Sequence, residues 1–464
     1  MGKHLSQYVY SGISVASFCV FLTAAVPSPS EAVDASDSEI MKKYQKIILE
    51  EPANVNAHFN LGILYSKNSL FDEAIREFRK VLEINPNDAE AHYNLGNIFN
   101  KKNLPDDAIG SYKKALAINP RDADAFHNLG NAYLNKGITD DAISAYQKAI
   151  EINPNLAESH KSLAYLYQKK GKTSESIPFF EKAAKTNAKD VPMLLDMASA
   201  YESNKSQDSA ILTYKRVLAI TPDHVDAKNR LAMLCNNKGV SLALEGKMDD
   251  AISAYKEALQ HKEDFKEVYN NLGAVYVERG MIDDAIATYK KAIEISPNFA
   301  EAYNNLGVAF TKKKNYDDAI PAFKKTLSLS KNHAGAHFNL GVVYSEKGMT
   351  SDAIHEYDET LRLAPNDITA LYNRGVLYLQ DGKLTEASAD MKKIIEINPK
   401  LSAAYHKLGD VYQKQGQYDN AIAEYKRALE ITPELKEALT SLEDTYRLKE
   451  KKAKKQETRG IKKR

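Results

Sequence analysis

The sequence predicts an all-α solenoid of stacked antiparallel helix pairs, and three observations carry that expectation. Leu-Gly pairs stand 34 residues apart at Leu61-Gly62, Leu95-Gly96 and Leu129-Gly130, and again at Leu272-Gly273, Leu306-Gly307 and Leu340-Gly341. Within each frame, apolar residues fall at positions 4, 7, 8 and 11 and then at 20, 24 and 27, the spacing of two amphipathic helices A and B. A Gly near position 15 in seven frames separates the two helices, and Pro at position 32 in eight frames closes the second. One such pair cannot bury its apolar face alone, so the pairs must stack.

The chain opens on an address. Lys3 precedes a mostly apolar run from Val9 to Val26, and Ser30-Glu31-Ala32 supplies small residues for a signal peptidase. Residues 1–32 therefore read as a secretory signal cut after about Ala32, or as an uncleaved membrane anchor, since 18 residues can just span a bilayer. Residues 33–54 are a linker and a half-repeat helix, in which Ile40, Tyr44, Ile47 and Pro52 follow the helix B pattern.

Eleven frames follow. Five start at 55, 89, 123, 157 and 191 (residues 55–224), and six at 232, 266, 300, 334, 368 and 402 (residues 232–435). Position 8 is Gly in nine and Ala in two, position 20 is Ala in all but Ser176, and position 24 is Phe, Tyr or Met throughout. Small residues at 8 and 20 let two helix backbones approach, and the rings at 11 and 24 fill the space around them. Residues 225–231 are a seven-residue phase insert, about two helical turns, with no Pro or Gly between Val225 and Asn237. One long helix from about Val225 to Glu245 is expected there. Residues 436–447 read as a capping helix and 448–464 as a basic tail.

This pattern resembles the tetratricopeptide repeat, with Leu-Gly at 7–8, Tyr at 11, Ala at 20, Tyr or Phe at 24 and Pro at 32. The resemblance implies a right-handed superhelix whose concave face, lined mainly by A helices, binds peptide segments of partner proteins. The repeats are also similar to those of O-linked N-acetylglucosamine transferases, but only 32 residues follow Thr432, so no catalytic domain is expected within this sequence. The chaperone-tail clamp of some family members is not expected either. Lys161 is the only Lys at its required place, and Tyr165 occupies the site where that clamp needs Asn.

Few residues suggest chemistry. Asp-Asp pairs at 106–107, 140–141, 249–250, 283–284 and 317–318 precede helix B, where carboxylates cap free N–H groups and suit the helix dipole. His58, His92, His160 and His337 all hold position 4 and read as packing residues, so no metal and no cofactor is expected. The functional signal is position 6, which is Asn at 60, 94, 128, 237, 271, 305, 339 and 373, with Ser162, Asp196 and Lys407 interrupting. An Asn amide offers donor and acceptor together, as a peptide bond does. Two readings stand: a ladder that grips an extended peptide backbone, or solvated Asn residues that hydrogen-bond the A helices. Arg374 stands at position 7, normally Leu, where its charge can reach the groove and meet an acidic ligand or simply be accommodated in the packing.

Charge adds one asymmetry. The whole chain has 63 basic and 62 acidic residues; from Arg447 onward the counts are 10 and 2, leaving 53 and 60 before it. The tail suits an acidic protein face or anionic lipid headgroups, and nucleic acid least, because export separates the chain from it; the plain reading is a solvated extension of the last helix, with no aromatic residue interleaved to stack on bases. Two cysteines, Cys19 and Cys235, exclude a disulfide framework. The expectation is thus an exported, non-catalytic interaction scaffold (periplasmic or secreted, or else membrane-anchored). The alternative is a non-catalytic, substrate-recruiting subunit of a separately encoded enzyme. N-terminal sequencing of native protein is expected to find a mature chain starting near Val33. An intact Met1 in a soluble cytoplasmic fraction refutes both signal and anchor.

Overall fold

The computed structural model describes residues 35–461, which form 24 α-helices with no strand among them. The proposed signal segment, with Cys19, lies outside the described residues. Two compact units divide between Leu234 and Cys235, inside the helix Val225–Leu244. In each unit the helices pair A with B inside a repeat, and each B packs on the next A, so contacts run between chain neighbours.

One contact closes each pair. The position-24 ring lies flat against the small residue at position 8: Tyr112, Tyr146, Tyr255, Tyr289, Phe323 and Tyr425 are all at most 2% exposed. A Cβ added to Gly273 would meet the Tyr289 ring at 2.6 Å, and one added to Gly307 would meet Phe323 at 2.7 Å. Glycine is required there by close approach, not by backbone angle. Ala at position 20 is wholly buried beside it in ten repeats.

The turn after helix A shows how tertiary context overrides residue preference. Seven glycines at position 15, such as Gly137 (φ +83°) and Gly280 (φ +75°), take the left-handed conformation. Ser69, Asn103, Lys205 and Lys314 hold the same position in the other four repeats, with φ of 56–61°. The geometry is that of a Schellman motif: the Gly137 N–H donates to Leu134 O and the Ile138 N–H to Tyr133 O.

The Asp-Asp pairs need a correction. They are not side-chain caps: the helix B caps Leu104, Ile138, Lys247 and Met281 make no side-chain capping bond. The acids sit in the first turn, where the helix dipole favours them. The first acid of each pair, and Asp72 likewise, reaches the cation 30 residues on. Lys102–Asp72 and Lys136–Asp106 close at 2.5 Å, Lys170–Asp140 at 2.7 Å, Arg279–Asp249 at 3.0 Å, and Lys313–Asp283 and Lys347–Asp317 at 2.6 Å. These pairs join position 14 of one repeat to position 18 of the one before. They are exposed, so each contributes modestly and is weakened by salt.

The helix Val225–Leu244 is continuous. Leu231 and Ala232 are fully buried in the first unit, while Gly239 seats Tyr255 in the second. The final helix runs Lys436–Ile461 and does not stop at residue 447. Lys449 pairs with Asp419, and Lys452 donates to Gly416 O at 3.1 Å with its ammonium 5.1 Å above the Tyr418 ring. The start of the basic tail therefore packs back on the preceding repeat.

Two glycine substitutions separate close approach from helix propensity. Gly307→Ala is expected to lower stability by about 1–3 kcal/mol, because the Phe323 ring must move. Gly110→Ala, in the helix Pro105–Ile118 with nothing within 4 Å of the new Cβ, is expected to raise it by roughly 0.5–1 kcal/mol. Thermal and urea melts check both; equal effects would contradict the ring contact.

Candidate functional site

Helix A buries positions 1, 3, 7, 8, 10 and 11 in the helix Ala300–Lys312, while 2, 5, 6, 9, 12 and 13 form one partly exposed stripe. Their spacing of three and four residues places them on a single face. Neighbouring A helices touch, as do Lys266–Glu278, Ala300–Lys312 and Ala334–Glu346, so the stripes of successive repeats lie side by side within a unit.

In the second unit the position-6 asparagines are tied across repeats. Asn271 Nδ2 donates to Asn236 Oδ1 at 3.1 Å, Asn305 Nδ2 to Asn270 Oδ1 at 2.9 Å, and Asn339 Nδ2 to Asn304 Oδ1 at 3.3 Å. Asn304 Nδ2 in turn donates to Asn305 Oδ1 at 3.4 Å, which makes one amide chain through Asn339, Asn304, Asn305 and Asn270. Each inter-repeat bond joins position 6 to position 5 of the preceding repeat. An amide has two N–H donors and two carbonyl lone pairs, so capacity remains beyond these bonds. Asn373 donates to the Tyr357 hydroxyl at 3.4 Å, and Asn237 is exposed.

The first unit is less regular. Asn128 donates to the Tyr93 hydroxyl at 2.9 Å and to Asn97 Oδ1 at 3.1 Å. Asn60 and Asn94 turn back along their own helices, to Asn56 O at 2.8 Å and Glu90 O at 2.9 Å. Burial pushes the Tyr146 hydroxyl up to about 12, and it donates to Asn131 Oδ1 at 2.6 Å.

Position 9 is a row that reading by position 6 misses. In the second unit it is Val240, Ala274, Val308, Val342 and Val376, all half-buried, and then Asp410 in the eleventh repeat; in the first it is Ile63, Asn97, Asn131, Tyr165 and Ser199. From the sixth to the tenth repeat, positions 5, 6 and 9 hold no charged residue in a chain that is 27% charged. In the first unit Lys161 and Asp196 interrupt the same face. The signal was available in the sequence as a second periodic position beside the asparagines.

Arg374 is placed differently from the groove expectation. Its Nη2 and Nε donate to Asp390 at 2.6 and 3.0 Å, and Nη1 to Asp358 at 2.6 Å. The guanidinium is therefore neutralised within the chain, and it links the helix Thr350–Leu363 to the tenth repeat. Burial pushes the Asp390 carboxyl up, and the bidentate Arg374 opposes that shift. Met391 stands at position 24 there, its methyl against Gly375, so repeat ten is closed by a thioether and an ion pair instead of a ring.

The position-4 histidines hold the chain between repeats. Nε2 of His58, His92 and His160 meets the carbonyls of Pro52, Pro86 and Pro154 at 3.0, 3.2 and 2.9 Å. His58 and His337 also meet Glu77 and Glu356 at 2.6 Å. Phe179 replaces that acid opposite His160, whose Nδ1 is left buried without a partner. Among the described residues no group of three or more His, Cys, Asp or Glu is placed to hold a metal ion.

Comparison with family models agrees with the repeat geometry. Tetratricopeptide-repeat models match residues 43–76, 123–156, 145–177 and 191–224, and a further TPR repeat model matches 71–103 and 96–137. The second unit matches the model of the cilia and flagella-associated protein 70 C-terminal domain over residues 235–442. The chain belongs to the tetratricopeptide-repeat family. Such repeats are protein–protein interaction scaffolds.

Solved tetratricopeptide-repeat structures are similar in parts. The TPR protein YrrB, titled as having an unusual peptide-binding site, is 23% identical over 40% of this chain and 97% of its own, with a TM-score of 0.38. MamA is 33% identical over 34% of this chain and 92% of its own, TM-score 0.33. The APC/C hetero-tetramer Cut9–Hcn1 is 15% identical over 88% and 94%, TM-score 0.39. A search of curated proteins found no match.

Proposed function

We propose that this protein is an exported interaction scaffold whose second unit grips extended, uncharged peptide segments of its partners. One observation carries the reading: from the sixth to the tenth repeat a hydrogen-bonded asparagine row runs beside an aliphatic row with no charge between them. An extended chain needs two things from such a surface. Its amides need bifunctional partners, which Asn271, Asn305, Asn339 and Asn373 supply. Its side chains need apolar contact, and the half-buried position-9 valines offer it. A charged side chain would be desolvated against this face without a counter-ion, so uncharged segments are selected. Export rests on the N-terminal address alone, and the tail beyond Lys455 remains a candidate contact for an acidic face or anionic lipid.

The test is capture of fluorescent nine-residue peptides by the full chain. Uncharged peptides with Val, Ala and Thr are expected to bind, with affinity nearly constant between low and high salt because no charges are screened. Changing Asn271, Asn305, Asn339 and Asn373 together to Ala is expected to weaken binding by about 2–6 kcal/mol at roughly 0.5–1.5 kcal/mol each. The inter-repeat bonds of the first three are lost too, so some loss of melting temperature is expected alongside. Preference for charged peptides, or unchanged capture by the quadruple variant, would contradict the reading.

A further inference from the structure

The junction of repeats four and five departs from the repeat pattern at several positions. A cavity of about 390 Å³ opens between the helices Thr173–Thr186 and Gln207–Ile220, floored by Met197 and Tyr201 of the helix Val191–Ser203. One departure from the repeat lies in its wall. Position 28 is Leu or Ile in ten repeats and Ala only at Ala184, which lines the cavity.

Three further departures converge on the same place. Position 22 is a large aliphatic residue in no other repeat, but here it is Leu212, 63% exposed on the cavity wall. Position 19 is Asp or Glu in nine repeats, yet Ser209 here. Position 29 is Glu in five, and three of these pair with the Lys at 26, as in Lys80–Glu83 at 2.6 Å and Lys291–Glu294 at 2.7 Å; in repeat four the two positions are Lys182 and Lys185. An acid is thus lost on each wall and a cation gained, beside Arg216. The remaining carboxylate, Glu181, accepts a hydrogen bond from the Tyr201 hydroxyl at 2.5 Å.

We infer that this cavity is a second docking site, on the B-helix side of the first unit, for an acidic peptide segment that inserts one aliphatic side chain between Ala184 and Leu212 and sets its carboxylates against Lys185 and Arg216. The floor supplies apolar area, and the rim supplies charge of the opposite sign. It is independent of the asparagine row, which lies on A helices of the other unit.

The experiment uses the full chain and a fluorescein-labelled ten-residue peptide of Glu and Asp with one central Leu. Three changes are expected to weaken binding at least tenfold: Leu to Ser in the peptide, Ala184→Leu in the protein, and the pair Lys185→Glu with Arg216→Glu. Raising salt is expected to weaken it further. Ala184→Leu fills the space and should raise the melting temperature, so lost binding would not reflect misfolding. Equal binding by wild type and Ala184→Leu would place the contact elsewhere, on the basic tail first, and overturn the proposal. Absence of peptide binding alongside tight binding of dodecanoate would also overturn it, in favour of a small amphiphile.

Discussion

Each repeat is held shut by one contact, the position-24 side chain laid against a residue with little or no side chain at position 8. The contact lets the two helix backbones approach, and the rest of the pair is arranged around it. Where the contact changes, the repeat changes with it. Position 8 is Ala164 and Ala198 in the two repeats that also build the cavity, with Phe180 and Tyr214 at position 24, and Gly375 faces Met391 in the repeat that carries the Arg374 ion pair. Polar ties recur between repeats: Lys or Arg at 14 to Asp at 18 at several junctions, and Asn271, Asn305 and Asn339 to position 5 of the repeat before.

Because the closing contact faces inward, the outward stripe of helix A is free to vary. The two units use that freedom differently. The first mixes Asn97, Asn131, Tyr165, Lys161 and Asp196, whereas the second, from the sixth to the tenth repeat, holds amides at position 6 and small aliphatic residues at position 9, with no charge at positions 5, 6 and 9. The same division of labour explains how the B-helix side can depart at Ala184 and Leu212 while Ala183 and Val217 beside them stay buried. The proposed binding positions are ones that the ring contact leaves free, although Asn271, Asn305 and Asn339 also tie one repeat to the next.

Most of the fold is legible in the sequence because every repeat restates the same constraint. The pairing of a small residue at position 8 with a ring at position 24, the buried Ala at 20 and the turn at 15 can be read from period alone. What is not legible is what depends on how one repeat lies on the next. The Asp-Asp pairs read as caps because their cations stand 30 residues away, a spacing that has meaning only once stacking is known. Ser69 and Lys314 give no sign that they adopt the conformation of glycine; the shared turn imposes it. The asparagine row is visible, but its bonds to Asn236, Asn270 and Asn304 are not, nor is the pairing of Arg374 with Asp390 across 16 residues. Ala184 was readable as the odd member of a Leu/Ile column, yet it has significance only when Leu212, Ser209 and Lys185 are seen around the same space.

The central claim is that ligand recognition resides in the amide and valine rows of the second unit. Nuclear magnetic resonance tests it most directly, by following valine-methyl and asparagine side-chain amide signals while a nine-residue uncharged peptide is titrated in. The account predicts shifts concentrated at Val240, Val308, Val342 and Val376 and at Asn271, Asn305, Asn339 and Asn373, with the buried Val275 and Val343 little changed. Shifts confined to B-helix residues, or none on the asparagine amides at saturation, would contradict it.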